Sequence, residues 1–218
     1  MVQTIRAEIV SQRLKPGQAI REDELAERFN VSRTPVREVL RRLEQEDLVR
    51  LIPNKGAFVS ELTTEDIEEV LDIRMALEVA AAGSAALKMN ELQVAELREI
   101  SRQLDLASKA QDSIVSLEAD SRLHNLILTA AGNDRARRII NNLMGQIQRI
   151  RFVSGHIPGR INTTVGEQKQ IIAALLKRQP EKAERAMQLH LLHTKKLLLP
   201  YSEMEEKFEE FVRNSFSI

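Results

Sequence analysis

The 218-residue chain has no cysteine. Disulfides and thiolate metal sites are therefore excluded, and a reducing cytoplasm is the compartment that fits. Tryptophan is absent too, and aromatic residues make up only 3%, too few for the stacking platforms that hold single-stranded nucleic acid. No apolar run reaches membrane-spanning length. The opening MVQTIRAEIVSQRLKPG lacks the apolar core of a signal peptide, because Arg6, Glu8 and Arg13 interrupt it. Neither sign of charge is in excess: Lys+Arg and Asp+Glu are 32 each, so any preference for an anionic partner has to be local. What remains, 43% hydrophobic and 29% charged, is an ordinary globular composition, long enough for one large domain or two small ones.

Ile5, Ile9 and Val10 have helical spacing over 2–13, a pattern that Pro16 and Gly17 break. REDELAERFN then predicts a short second helix, with Leu25, Ala26 and Phe29 inward and Asn30 as a left-handed terminator. VSRTPVREVLRRLEQED predicts a third, capped by Ser32 or Thr34, with Pro35 tolerated in its first turn. LVRLI and AFVS flank the turn PNKG, which predicts a two-stranded hairpin over about Leu48 to Ser60. From Thr63 the periodicity becomes helical throughout. It predicts helices near 64–88, 91–110, 113–131, 134–152, 163–177, 181–199 and 201–214, with SGHIPGR as a loop at 154–160. The expected fold is mainly α. A winged helix-turn-helix with a small β-hairpin occupies 1–62, and an all-helical effector-binding and dimerisation domain occupies 63–218.

The third helix separates an apolar stripe (Val36, Val39, Leu40, Leu43) from a face bearing Arg33, Arg37 and Arg41. From Arg28 to Arg42 five arginines stand against the single anion Glu38. Such a face attracts phosphates, and guanidinium forks pair with guanine edges in the major groove of double-stranded DNA. The second helix, the turn Asn30–Val31–Ser32 and this helix form a helix-turn-helix, and the hairpin tipped by Asn54, Lys55 and Gly56 forms a wing. The stretch LAERFNVSRTPVREVLRRLEQEDLVRLIPNKGAFV resembles the winged helix of the GntR family of bacterial transcription regulators. The resemblance implies that Arg33, Thr34 and Arg37 contact operator bases and phosphates, and that Gly56 sits at the wing tip near the minor groove. Asp47 stands where many members carry glycine; aspartate tolerates the same helix end, so little consequence is expected.

In the helical half, polar groups lie on apolar stripes. Asp120 and His124 share a face with Leu117, Ile127, Leu128 and Ala131. Gln168 lies among Val165, Ile171, Ile172 and Leu175, and His190 lies among Ala183, Ala186 and Met187, with His193 one turn on. Bundle interiors are a usual place for ligand or metal sites, and imidazole with carboxylate suits zinc, nickel, iron or manganese. The same Asp–His spacing also suits a plain buried hydrogen bond.

IRMALEVAAAGSAA, DSRLHNLILTAAGN and AERAMQLHL together are similar to the FCD ligand-binding domain of the FadR subfamily, and the two resemblances run to about Leu199. The FCD pattern implies four metal ligands: an Asp, a His four residues later, and two more His on separate helices. Asp120, His124 and His190 match, while Gln168 stands where a His is usual. Two outcomes stay open: three protein ligands hold a divalent ion with a position open, or the four polar groups bind an organic effector without metal. The subfamily commonly senses small carboxylates. Arg74 and Arg151 are candidates to hold the effector's far end; His193 is a candidate at the pocket mouth, with an ordinary role as its alternative. Arg74 also has the spacing for a structural pair with Glu78, and His156 is given an ordinary loop role.

A single winged helix reads few bases, so a homodimer on a palindromic operator is expected. The alanine-rich ALEVAAAGSAALKM offers a close-packing face for a partner helix or for the chain itself. The expected protein is a cytoplasmic, ligand-responsive repressor and not an enzyme. The competing class, a metal-dependent helical-bundle enzyme with an appended DNA-binding unit, lacks an evident general base.

Overall fold

The computed structural model describes the backbone of residues 1–155, 157 and 159–216, and side chains as far as Leu199 apart from His156 and Pro158. It divides into two compact units: Met1–Leu62 with Ile139–Phe152, and Thr63–Arg138 with the chain from Val153 onward.

The first unit begins with α1 (Val2–Val10), β1 (Ala19–Ile20), α2 (Glu22–Phe29) and α3 (Arg33–Glu44), followed by β2 (Val49–Ile52) and β3 (Gly56–Val59). Asn30 ends α2 in the left-handed region at φ 51°, a conformation its short polar side chain tolerates. Ser32 is the N-cap of α3, although its side chain makes no capping bond. Asp47 takes φ 54°, so aspartate fills the turn after α3 as expected.

The hairpin forms with Val49 opposite Val59 and Ile52 opposite Gly56. Gly56 sits at φ 100° immediately after the turn, where a side chain would be strained. The sheet has a third strand that sequence reasoning missed. Ala19 and Ile20 pair with Phe58 and Ala57, giving the antiparallel order β1-β3-β2. Two residues are too few to show alternation, and Pro16 and Gly17 dominate the local pattern. Burial holds Ile20 in place, since it packs with Ile5, Leu40, Leu43 and Val59 in one core.

A two-pronged ion pair ties α1 to α2: Arg28 Nη1 and Nη2 donate to Glu8 Oε2 and Oε1 at 2.8 and 2.5 Å. Hydrogen bonding from Arg28 holds the Glu8 carboxyl below the usual carboxylate range, outweighing the effect of burial. With the folded value below the unfolded one, the pair stabilises the unit above about pH 4 and its contribution is lost as pH falls through that range. Glu8→Gln is expected to cost about 1 kcal/mol or less near neutrality, because Arg28 is half exposed. Urea denaturation at pH 7 and pH 3.5 should show the difference from wild type shrinking at the lower pH.

Thr63 opens the second unit with a capping box to Asp66, and Asn90 makes another with Gln93. These set the starts of α4 (Thr64–Lys88) and α5 (Glu91–Ala110); Asp112 caps α6 (Ser113–Ala131). α7 (Asp134–Asn142) and α8 (Met144–Gly155) follow, then α9 (Arg160–Leu176) and α10 (Pro180–Phe216). In the second unit α4 packs on α6 and α10, α5 on α6 and α9, and α9 on α10.

The structure corrects two expectations about the helices and decides between two readings of the alanine-rich stretch. The helix expected over 134–152 is two, broken at Leu143, whose N–H is shared between the Ile139 and Ile140 carbonyls. The segment Ile139–Phe152, which spans the break, groups with the first unit. Gly145 approaches Leu48 so closely that a Cβ there would lie 2.8 Å from the leucine side chain, and Arg149 reaches the Glu61 carbonyl. The helices expected over 181–199 and 201–214 are one: Pro200 removes one hydrogen bond but keeps a helical φ, and strong helix formers continue on both sides. The alanine-rich stretch of α4 packs within the chain, since Ala81, Ala82, Ala85 and Ala86 are buried in it.

Candidate DNA-binding face and candidate effector centre

Helix α3 buries Val36, Leu40 and Leu43 and turns Arg33, Thr34, Arg37 and Arg41 outward, all exposed. Arg33 and Arg37 are not idle in the free protein. Each is held through Nε by an acid of α2: Arg33 by Asp23 at 2.5 Å and Arg37 by Glu22 at 2.7 Å. Both arginines stay more than half exposed, so these pairs are weak and phosphates can compete for them. A cleft of about 360 Å³ separates α3 from the wing, lined by Arg37, Arg41, Asn54 and Gly56 among others. Lys55 is exposed at the turn beside it.

In the second unit the residues expected to point inward do so. Asp120, His124, Gln168 and His190 are 7, 2, 0 and 4% exposed. His124 Nε2 and His190 Nε2 face each other at 3.3 Å. Asp120 Oδ1 lies 3.4 Å from the first and 3.7 Å from the second. Gln168 Nε2 donates to that same Asp120 oxygen at 2.5 Å, and among the described residues its own buried Oε1 has no partner.

Two glutamates that sequence reasoning left out of the site stand behind the histidines. His124 Nδ1 is hydrogen-bonded to Glu78 Oε2. His190 Nδ1 bonds to Glu167 Oε2 at 3.0 Å, and His193 Nδ1 bonds to the other Glu167 oxygen at 2.9 Å. In the sequence Glu78 stands out only as a spacing partner of Arg74, and Glu167 only as the neighbour of Gln168. Burial raises the Glu78 carboxyl, but Arg74 and His124 outweigh it and hold the group well below the usual carboxylate range. Glu167 is likewise lowered: burial raises it, and His190, His193 and Arg160 more than compensate. Burial pushes the His190 imidazole down against the pull of Glu167, so the neutral ring is favoured.

Arg74 is closed onto Glu78, Nε to Oε1 at 2.7 Å, and is fully buried. The structural pairing expected of Arg74 forms, and it places the guanidinium at the edge of the centre, with Nη2 3.3 Å from His124 Nδ1. Arg151 falls in the segment grouped with the first unit. Arg160, missed in the sequence, is buried beside the centre: Nη1 is 3.5 Å from Glu167, and Nη2 donates to Thr194 Oγ1 at 2.9 Å. His193 is half exposed. His156 lies outside the described residues.

A divalent cation fits this donor set at three positions. Asp120, His124 and His190 each offer a ligand atom, and these lie within 4.8 Å of one another. Each histidine turns its other nitrogen to a carboxylate, the usual support of a metal-binding imidazole. Gln168 commits its amide nitrogen to Asp120, which leaves its buried Oε1 as the amide's remaining polar atom.

A basic helix beside a wing, carried in one chain with a helical unit that buries an Asp/His/His centre, defines a class: DNA-binding transcription regulators with an attached sensor. The bacterial regulatory protein gntR-family model matches residues 1–59, and the FCD domain model matches 69–193. The chain is 31% identical over 187 residues, 86% of its length and 82% of the relative's, to the HTH-type transcriptional repressor RspR of Escherichia coli K12. The E. coli structure McbR/YncC shares the fold, with TM-score 0.78, 21% identity and coverage of 92 and 95% of the two chains. The metal-free FCD domain of the regulator TM0439 aligns over 66% of this chain and 99% of its own, with TM-score 0.56 and 22% identity. The chain belongs to the GntR family of bacterial transcription regulators, in its FCD-bearing FadR subfamily. Among the described residues no helix is long and apolar enough to cross a membrane.

Proposed function

We propose that this regulator is a cytoplasmic repressor that binds a palindromic operator as a homodimer and releases it when a small carboxylate occupies the helical unit. Arg33, Thr34, Arg37 and Arg41 read the major groove, with Lys55 and Gly56 of the wing at the neighbouring minor groove. Asp120, His124 and His190 hold a divalent cation of the zinc, nickel, iron or manganese group, which when bound supplies a Lewis-acidic seat for the effector's carboxylate. Asp120 contributes the charge. The histidines contribute two imidazole nitrogens, and Gln168 steadies Asp120 through its amide. His193, half exposed on Glu167, lies where an effector enters. Effector binding shifts the population between DNA-competent and DNA-incompetent arrangements of the dimer.

The observation that carries this reading is the convergence of one carboxylate oxygen and two imidazole Nε2 atoms in a buried centre. The test is a thermal-shift screen of small carboxylates with and without Zn²⁺, followed by gel shifts with each hit. Stabilisation that depends on both metal and carboxylate, together with weaker DNA binding, is expected. Stabilisation by neither, or turnover of the compound, overturns the reading.

Gln168→His is expected to strengthen Zn²⁺ binding by tenfold or more, about 1.4 kcal/mol, by supplying a third imidazole, and so a fourth ligand, at a buried position. Competition against a chromogenic chelator measures it.

A further inference from the structure

The two histidines of the centre are held by matching relays on opposite sides. One runs Arg74–Glu78–His124: Arg74 Nε on Glu78 Oε1 at 2.7 Å, and Glu78 Oε2 on His124 Nδ1. The other runs Arg160–Glu167–His190: Arg160 Nη1 at 3.5 Å from Glu167 Oε1, and Glu167 Oε2 on His190 Nδ1 at 3.0 Å. Thr194 closes the second relay by accepting from Arg160 and donating to the His190 carbonyl at 3.0 Å. The four helices involved, α4, α6, α9 and α10, are thus tied around one point.

We infer that Glu78 and Glu167 are positioning residues that lock His124 and His190 in the Nδ1–H tautomer, so that both Nε2 lone pairs are presented to a cation beside Asp120. This inference rests on the metal-centre reading above. A carboxylate held ionised by an arginine has no proton to give, so the imidazole nitrogen facing it must be the donor. The proton then resides on Nδ1 in each ring, and a neutral ring has only a lone pair left at Nε2. Arg74 Nη2 also lies 3.3 Å from His124 Nδ1. That nitrogen cannot accept from Arg74 and donate to Glu78 at once, and the Glu78 contact is the shorter, so Arg74 acts on the ring through the glutamate. The two Nε2 atoms lie 3.3 Å apart with Asp120 Oδ1 beside them, so all three ligand atoms converge on one position for a cation. The relays therefore hold both imidazoles aimed at that common position and raise their basicity as ligands.

The relays differ in access. Arg74 and Glu78 are almost wholly buried, whereas Glu167 also carries the half-exposed His193. Glu167 is thus the relay open to adjustment from solvent, and Glu78 the fixed one.

The experiment uses the full-length protein in two parts. Long-range ¹H–¹⁵N correlation spectra of chelator-treated wild type report the tautomer of each histidine without any substitution. Nδ1–H is expected for both His124 and His190, and an Nε2–H ring at either position overturns the inference. Zn²⁺ affinity is then measured by chelator competition for wild type, Glu167→Gln and Glu167→Asp, with folding checked by circular dichroism. Glu167→Gln should bind roughly 10- to 100-fold more weakly, and Glu167→Asp should recover part of that affinity. Equal affinity in wild type and Glu167→Gln overturns the positioning role. If wild type takes up no metal yet both rings are Nδ1–H, the tautomer lock stands and the metal reading fails.

Discussion

Arg37→Ala is expected to weaken binding of DNA from the regulator's own upstream region by roughly 5- to 150-fold, the 1–3 kcal/mol carried by one bidentate base contact. Arg37 sits on the exposed face of α3 with its Nε on Glu22, and the cleft between α3 and the wing opens beside it. On the proposed reading, removing it takes away a base contact, and it leaves the core stripe of Val36, Leu40 and Leu43 intact. The change should therefore appear in affinity and in sequence preference, not in the melting temperature. Lys55→Ala at the wing tip is the informative companion. Without the lysine's charge beside a phosphate, all sequences should bind more weakly to the same degree, and the salt slope should fall by about one ion. Fluorescence anisotropy at several salt concentrations distinguishes the two. If Arg37→Ala changes the salt slope and leaves sequence preference unaltered, then Arg37 touches a phosphate and the base-reading assignment is wrong.

The second large effect is expected at the centre. His124→Ala should reduce the metal content from about one divalent ion per chain to near zero by elemental analysis. It should also abolish the stabilisation that metal confers. Wild type with free Zn²⁺ at a hundred times its dissociation constant gains about 2.7 kcal/mol, on the order of 5–10 °C in melting temperature for a chain of this size. The comparison has to be made within each variant, with and without metal. His124→Ala also strips Glu78 of a buried partner, which is destabilising in itself. Asp120→Asn offers a gentler version: it keeps the shape and removes the charge, so metal affinity should fall with less damage to the apo fold. A wild type that purifies without metal, takes none up and still responds to carboxylates would show a centre that binds its effector through hydrogen bonds alone.

Much of this architecture is legible without coordinates because it rests on local rules. Thr63, Asn90 and Asp112 announce helix starts through side chains that satisfy backbone N–H groups a few residues on. Three of the long helices therefore begin where periodicity puts them. The missed strand Ala19–Ile20 and the break at Leu143 have another origin. Each is decided by what the segment packs against: β3 in one case, the surface around Leu48 in the other. A two-residue strand has no period of its own, and the stretch around Leu143 is compatible with helix or break until a neighbour chooses.

The centre divides in the same way. The sequence by itself determined that Asp120, His124, Gln168 and His190 turn inward, because helical spacing places them among apolar residues that must be buried. It also determined that α3 would carry a basic face, because i, i+4, i+8 arginines share a side whatever the surroundings. Only the tertiary structure decided what stands behind each ligand. Glu78 lies 46 residues from His124 and Glu167 lies 23 from His190, distances over which no local pattern operates. It also decided that Arg74 closes on Glu78 and that Arg160 takes up the position beside Glu167. Ion pairs inside a bundle are chosen by which helices pack together. Where charges are buried, partners are fixed by the cost of leaving any one of them unpaired.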